Sequence, residues 1–330
     1  MTEVTSGIYW IKLPIGTVDS TLEHVNIYLV GGEQGYLLVD AGWNTKESFD
    51  ALQNNLAEIG ADIKDISQIL VTHVHPDHYG MAGRIRQLSG AKLTLHEVEK
   101  GFIVPRYMEI DELLRQTAEW LAINGVPPDE TGDIRNATIG LKDFVFPAMP
   151  DITLHGGETI STGTFTFQVL WTPGHSSGHI CLYEPEKKVL LAGDHILPTI
   201  TPNISLHPQS VDNPLGSYLD SLNVIKQLEV EIVLPGHDGP FTGLVPRIEQ
   251  IIKHHEQRNR EILAAIDGEP KTAYQISGYV TWGTNATWHD LPLFHKRMAI
   301  FETLAHLELM TVNGQVNKIA RNGIIYYRQT

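Results

Sequence analysis

Short apolar runs closed by glycine-bearing or polar turns recur through the first two-thirds of the chain. Gly7 to Leu13 alternates apolar and polar residues, the period-2 pattern of a half-buried strand. Val25 to Val30 and Gly35 to Val39 are apolar runs around Gly31-Gly32-Glu33-Gln34, which is hairpin chemistry. Ile66 to Thr72, Ala91 to Leu95, Phe167 to Trp171, Val189 to Gly193 and Glu231 to Leu234 predict further strands, with hairpin-like strands over Thr153 to Phe167. Ser48 to Ile59 carries Phe49, Leu52, Leu56 and Ile59 on one helical face. Arg84-Ile85-Arg86, after Gly80 and Gly83, opens another helix. Strands alternating with helices place the chain in the α/β class.

Two stretches break this rhythm. Residues 99–150 predict a helical insertion, with Leu113, Leu114, Ala118, Leu121 and Ala122 at helical spacing, a break at Pro127-Pro128, and an apolar cluster of Phe144, Phe146 and Met149. Such an insertion forms either a pocket wall that sets substrate choice or a helix pair packed on the core. Beyond Pro240, Leu244 to Ile266 predicts a long helix, Thr272 to Ser277 a helix start and Phe294 to Leu309 another helix. Val316 to Ile319 and Ile324 to Tyr327 flank Arg321-Asn322-Gly323 as a hairpin. This order predicts a winged-helix-like domain over 241–330, following a catalytic domain over 1–240.

Composition narrows the partners. The chain has 330 residues, 42% hydrophobic, with a formal net charge of −15. An acidic surface repels polyanions and weighs against a large nucleic-acid footprint. The charge is uneven: residues 241–330 hold ten Lys/Arg against eight Asp/Glu, a net of +2, which is too little for strong phosphate binding. Trp282, Trp288, Leu291, Leu293 and Phe294 suit a packed interface instead, against the catalytic domain or in a homodimer, and the Trp282 to Phe294 loop is expected to reach the pocket mouth. No apolar run is long enough to span a bilayer, and the first residues lack the pattern of a secretory signal. The lone cysteine, Cys181, sits in a strand-like run as a small apolar residue. These features together predict a cytoplasmic protein.

The chemistry concentrates at Thr72-His73-Val74-His75-Pro76-Asp77-His78. Four of these residues are metal-ligand types, and imidazole with carboxylate suits zinc, iron or manganese. Residues two apart in an extended segment point the same way, so His73 and His75 face one cation together. Asp77 and His78 lie past the turn and can swing to a second.

His-x-His-x-Asp-His resembles the signature of the metallo-β-lactamase superfamily of hydrolases. Further matches follow in order: Asp40 in Leu38-Val39-Asp40-Ala41-Gly42, His175 in Thr172-Pro173-Gly174-His175-Ser176, Asp194 in Ala192-Gly193-Asp194, and His237 in Pro235-Gly236-His237. The resemblance covers roughly residues 6–240. It implies a four-layer αββα sandwich. It also implies two divalent metal ions, zinc by default with iron or manganese as alternatives. His73, His75 and His175 would hold one, Asp77, His78 and His237 the other, and Asp194 would bridge. Asp40 would lie beneath the site, or serve as a plain turn residue. His179 is expected to be structural or supporting, and His195 to meet substrate or to be structural. His96 and Glu97 correspond to no ligand and read as local structure or pocket rim.

The implied reaction is hydrolysis, in which a metal-bridging hydroxide attacks a thioester or related carbonyl, with Asp77 orienting it and taking its proton. A metal-dependent endoribonuclease or phosphodiesterase is the alternative, and a non-catalytic metal-containing binding protein a third reading. The intact His73-x-His75 pair argues against the redox di-iron branch, and the chain offers no convincing Gly-x-Ser-x-Gly elbow.

Overall fold

The structure is a computed structural model that describes residues 1–15, 22–283 and 287–330. The first sheet follows the chain: β1 (Thr2–Thr5), β2 (Ile8–Pro14), β3 (His24–Gly32), β4 (Gly35–Val39), β5 (Ile66–Leu70), β6 (Lys92–His96) and β7 (Ile152–Leu154), in the spatial order β1-β2-β3-β4-β5-β6-β7. It is antiparallel as far as β4, then parallel from β4 to β7, where helices make the crossovers. The second sheet has the order β12-β11-β10-β9-β8, from β8 (Thr159–Ser161), β9 (Thr166–Trp171), β10 (Ile180–Glu184), β11 (Val189–Gly193) and β12 (Ile232–Pro235).

Three apolar layers explain the stacking. Ile8, Val30, Leu37, Val39 and Leu70 of the first sheet meet Phe167, Val169, Leu182, Leu191 and Leu234 of the second. The outer face of the first sheet packs on α1 (Lys46–Glu58) and α3 (Ala82–Ser89), which lies just past the short α2 (Pro76–Tyr79). In α1, Phe49, Leu52 and Leu56 are buried, and Thr45 caps the helix by accepting the Ser48 amide. The outer face of the second sheet packs on α7 (Pro214–Ile225), α8 (Leu244–Ile266) and α10 (Leu293–Val312). The result is the expected αββα sandwich. Each fully buried large apolar side chain contributes about 1.5–3 kcal/mol relative to its exposed state, so the two sheets are held face to face over their whole overlap.

The insertion is helical as expected, although its first helix begins two residues early. It comprises α4 (Glu97–Ile103), a π-helical turn (Val104–Met108), α5 (Ile110–Ile123) and α6 (Pro128–Asn136). The following strap lies on α2 and α3: Phe144 packs on Trp43 with ring centroids 4.4 Å apart, and the Phe146 amide donates to Gly80 O at 2.8 Å. Two side chains of the insertion reach the ligand segment instead: Tyr107, whose hydroxyl donates to Val74 O, and Glu99, whose carboxylate accepts the Val74 amide.

At the C-terminus, α8, α9 (Ala273–Ser277) and α10 precede a hairpin of β13 (Val316–Arg321) and β14 (Ile324–Gln329), the order the sequence predicts. Asn322 and Gly323 both have positive φ, as a tight hairpin turn requires. Among the described residues, the apolar side chains of this region pack in one cluster with the sandwich. Ile248, Ile262, Ile300, Leu304 and Tyr327 share one apolar cluster with Leu121 and Ile134 of the insertion and with Leu190 and Val233 of the second sheet. A composition shift marks different surface chemistry; it does not say where the apolar faces dock. The Trp282 to Phe294 loop lies partly outside the described residues. Its described aromatics turn inward, with Trp282 donating to Ser277 O and Trp288 packing on Tyr274.

Candidate metal centre

Strand ends deliver the candidate residues to one edge of the sandwich. β5 leads into His73, His75, Asp77 and His78; β9 leads towards His175; β11 ends before Asp194; β12 ends before His237. Pro76 opens α2, which rotates Asp77 and His78 away from the preceding histidines. All seven residues named from the sequence meet there. Nitrogen or oxygen atoms of His73, His75 and His175 converge in one group, those of Asp77, His78 and His237 in another, and His73, His78 and Asp194 in a third, each within 4.8 Å.

Asp194 stands between the two halves. Its carboxylate oxygens lie 3.6 Å from His175 Nε2, 3.3 Å from His78 Nε2 and 3.3 Å from His237 Nε2. Asp77 Oδ2 is 3.2 Å from His237 Nε2 and 3.6 Å from His78 Nε2.

The supporting bonds fix which nitrogen is bare. His175 Nδ1 donates to Asn203 O at 2.9 Å, and His237 Nδ1 to His24 O at 3.0 Å, because a carbonyl only accepts. His78 Nδ1 donates to Asp40 Oδ2 at 2.8 Å. Thr72 Oγ1 gives its single proton to Asp40 Oδ2, so it accepts from His73 Nδ1 at 3.1 Å. Each of these four rings therefore presents Nε2 to the centre, the arrangement that orients histidine ligands at metal sites. Asp40 also accepts the Thr72 amide and has a φ of 62°, a left-handed conformation rare for a residue other than glycine. It supports the site, as the resemblance implies, and is more than a turn residue.

A divalent cation fits this donor set. His75 Nδ1 lies 2.9 Å from His73 Nε2 and 3.0 Å from His175 Nε2. With the other two nitrogens bare, the three share at most one proton, so lone pairs face each other unless a cation takes them. His78 Nε2 and Asp194 Oδ1 are buried without a hydrogen-bond partner, a costly arrangement that a cation relieves. A Cβ on Gly236 would meet Asp194 Oδ1 at 2.2 Å, so only glycine lets the chain pass there.

Electrostatics divide the centre. Burial, then the neighbouring imidazoles, hold His73 well below the usual histidine range; burial and His175 do the same to His75. Burial also pushes His78 and His237 down, but Asp194 and Asp77 outweigh it, taking His237 to about 10 and His78 well above its ordinary value. Burial pushes Asp77 up, and His78 and His237 outweigh it to bring the carboxyl to about 2. One half is imidazole alone; the other is carboxylate-rich, and its two carboxylates hold the neighbouring imidazoles above their ordinary range.

His195 is fully buried against Tyr218 and His179, which rules out contact with substrate. His179 accepts the Asp194 amide through Nε2 at 3.1 Å and so positions that carboxylate. His96 caps α4 and stacks on Trp171, while Glu97 pairs with Lys100, so both are local structure.

Sequence reasoning missed Glu99. It is fully buried, and its carboxylate accepts the Val74 amide at 2.8 Å, the Gly178 amide at 2.8 Å and the Ser176 hydroxyl. It ties the first histidine loop to the His175 loop. The motif pattern carries no signal for it; the residue reads as one more acidic position in the first turn of a helix.

Comparison with known proteins agrees with this geometry. The family model of the metallo-β-lactamase superfamily matches residues 20–237. A Bacillus subtilis protein named probable metallo-hydrolase YqjP is 28% identical over 92% of this chain and 93% of its own. A crystal structure of a metallo-β-lactamase family protein from Thermus thermophilus superposes with a TM-score of 0.83 at 32% identity, covering 99% of this chain and all of that one. A β-lactamase domain protein from Burkholderia ambifaria superposes with a TM-score of 0.78 at 27% identity, over 100% of this chain and 94% of that one.

Proposed function

The chain belongs to the metallo-β-lactamase superfamily of hydrolases, and on that premise we propose that it is a dinuclear metal-dependent hydrolase of thioesters or related esters. The observation that carries the number of metals is Asp194, whose carboxylate lies between the His175 side and the His78–His237 side of the centre. In this reading His73, His75 and His175 hold one cation, Asp77, His78 and His237 the other, and Asp194 touches both. The cations, zinc by default, supply Lewis acidity, which lowers the pKa of water and polarises the scissile carbonyl.

The chain's own groups do the rest. Nδ1 bonds to Asp40, Thr72, Asn203 and His24 O lock the imidazoles, so no reorganisation is needed when substrate arrives. Asp77, ionised at neutral pH, orients the attacking water and accepts its proton. Val74 and Tyr79, beside the ligand residues in sequence, are fully buried and hold the ligand segment against the core.

A cytoplasmic setting belongs to the same reading. Among the described residues no helix is long and apolar enough to cross a membrane, and burial pushes the Cys181 thiol up to about 12, so it stays an inert packed group. The test is a panel of acyl thioesters, lactones and RNA presented to metal-loaded protein. Turnover of thioesters or esters with RNA left intact is expected; cleavage of RNA with every ester untouched would replace this reading with a nuclease.

A further inference from the structure

Beside the metal centre lie two guanidinium groups with no acidic partner. Arg106, in the turn before α5, donates through Nε to Gln209 Oε1 at 2.9 Å, and among the described residues its other nitrogens find no protein acceptor. Arg297, in the second turn of α10, donates through Nη1 to Arg135 O at 2.8 Å, and its Nε is buried with no hydrogen-bond partner. Neither forms an ion pair with a described carboxylate, although the chain holds 39 Asp/Glu against 24 Lys/Arg.

One network joins them. The Gln209 amide donates to His207 Nδ1 at 3.2 Å, which leaves the proton of neutral His207 on Nε2 as a further donor. The His207 ring lies 6.1 Å from that of Phe301, and Arg297 Cζ lies 5.0 Å from the same ring. The charges sense each other: burial and Arg106 bring Arg297 down to about 10, and burial, Arg106 and Arg297 bring His207 down to about 3.

Chain neighbours of the patch touch the metal centre from two sides. Tyr107, next to Arg106, donates to Val74 O between His73 and His75. Asn203, four residues before His207, accepts from His175 Nδ1. Two half-buried cations sharing one patch repel each other and have lost hydration, a cost that a bound anion removes.

We propose that Arg106, Arg297 and His207 form a subsite for an anionic group, carboxylate or phosphate, on the acyl substrate. The insertion supplies one arginine and α10 the other, which gives both appendages of the sandwich a role in substrate choice. This rests on the ester-hydrolase reading above.

The test uses metal-loaded full-length protein and three thioesters sharing one acetyl group: S-acetyl-N-acetylcysteamine (neutral), S-acetyl-3-mercaptopropionate and S-acetyl-4′-phosphopantetheine. In R106A/R297A, with metal content matched to wild type, kcat/KM on the anionic thioesters should fall about 10–100-fold, mainly through KM, as expected for loss of charged hydrogen bonds. The neutral thioester should lose no more than about threefold, and R106K/R297K should recover much of the loss. The arm with the larger loss identifies the anion. An equal loss on all three would overturn the subsite and make the arginines structural. If wild type hydrolyses none of them, the ester reading fails and calorimetry decides the subsite separately. The probes are then 3-(methylthio)propionate and S-methyl-4′-phosphopantetheine. Binding of either that weakens at least about 10-fold in R106A/R297A supports the subsite. Equal binding by both proteins, or none by wild type, overturns it.

Discussion

The Glu99 carboxylate accepts the backbone amide of Val74 at 2.8 Å, 25 residues away, at the point where that amide separates His73 from His75. Its second oxygen accepts the Gly178 amide, so one buried side chain sets the spacing between the loops carrying three of the centre's histidines. Glu99→Gln puts an amide donor where one of these donors now points. Without touching a proposed ligand, it should weaken metal binding about 10–100-fold, the usual effect of removing a group that orients ligands. Competition with a chromophoric chelator measures this; unchanged affinity would make Glu99 a matter of folding alone.

Asp77 faces the carboxylate-rich half only, within reach of His78 and His237. Asp77→Asn should therefore reduce kcat by about 10²–10⁴-fold while one metal per chain remains on His73, His75 and His175. Elemental analysis beside steady-state kinetics checks both halves. Near wild-type kcat in the variant would remove Asp77 from the mechanism.

Glu302 of α10 accepts from Asn203 Nδ2 at 2.6 Å, and burial raises its pKa from 4.5 to about 7 against the opposing pull of Arg258 and Asn203. The folded state thus holds this proton more tightly than the unfolded chain, so stability falls as pH rises between about 4.5 and 7 and levels off above. Glu302→Gln copies the protonated form. Relative to wild type it should gain up to about 3 kcal/mol between pH 5 and 8, by the 1.4 kcal/mol per pKa unit of linkage. Urea unfolding across that range reads the difference directly; a constant offset between the two proteins would mean Glu302 does not titrate there.

What could be read from the sequence follows locality. His73, His75, Asp77 and His78 stand within six positions, so their chemistry is visible as a run, and His175, Asp194 and His237 become visible through the resemblance because each ends a strand. Asn322-Gly323 is a local signal too, and the hairpin it turns forms where expected. Glu99 contacts Ser176 from 77 residues away, and Asn203 contacts Glu302 from 99 away; no periodicity encodes such pairs. His195 shows the converse. Adjacency to Asp194 suggests a role at the site, yet the chain turns its ring into the core. The face of α10 that docks on the sandwich is hidden in the same way, because its apolar residues run all round the helix.

The account stands or falls on two cations acting together on an acyl substrate. The direct measurement is thioester hydrolysis by metal-stripped protein titrated with zinc, following initial rate against equivalents bound per chain. The predicted result is little activity up to the first equivalent, a steep rise between the first and the second, and a plateau at two. A plateau at one equivalent, or no thioester turnover at two, would contradict it.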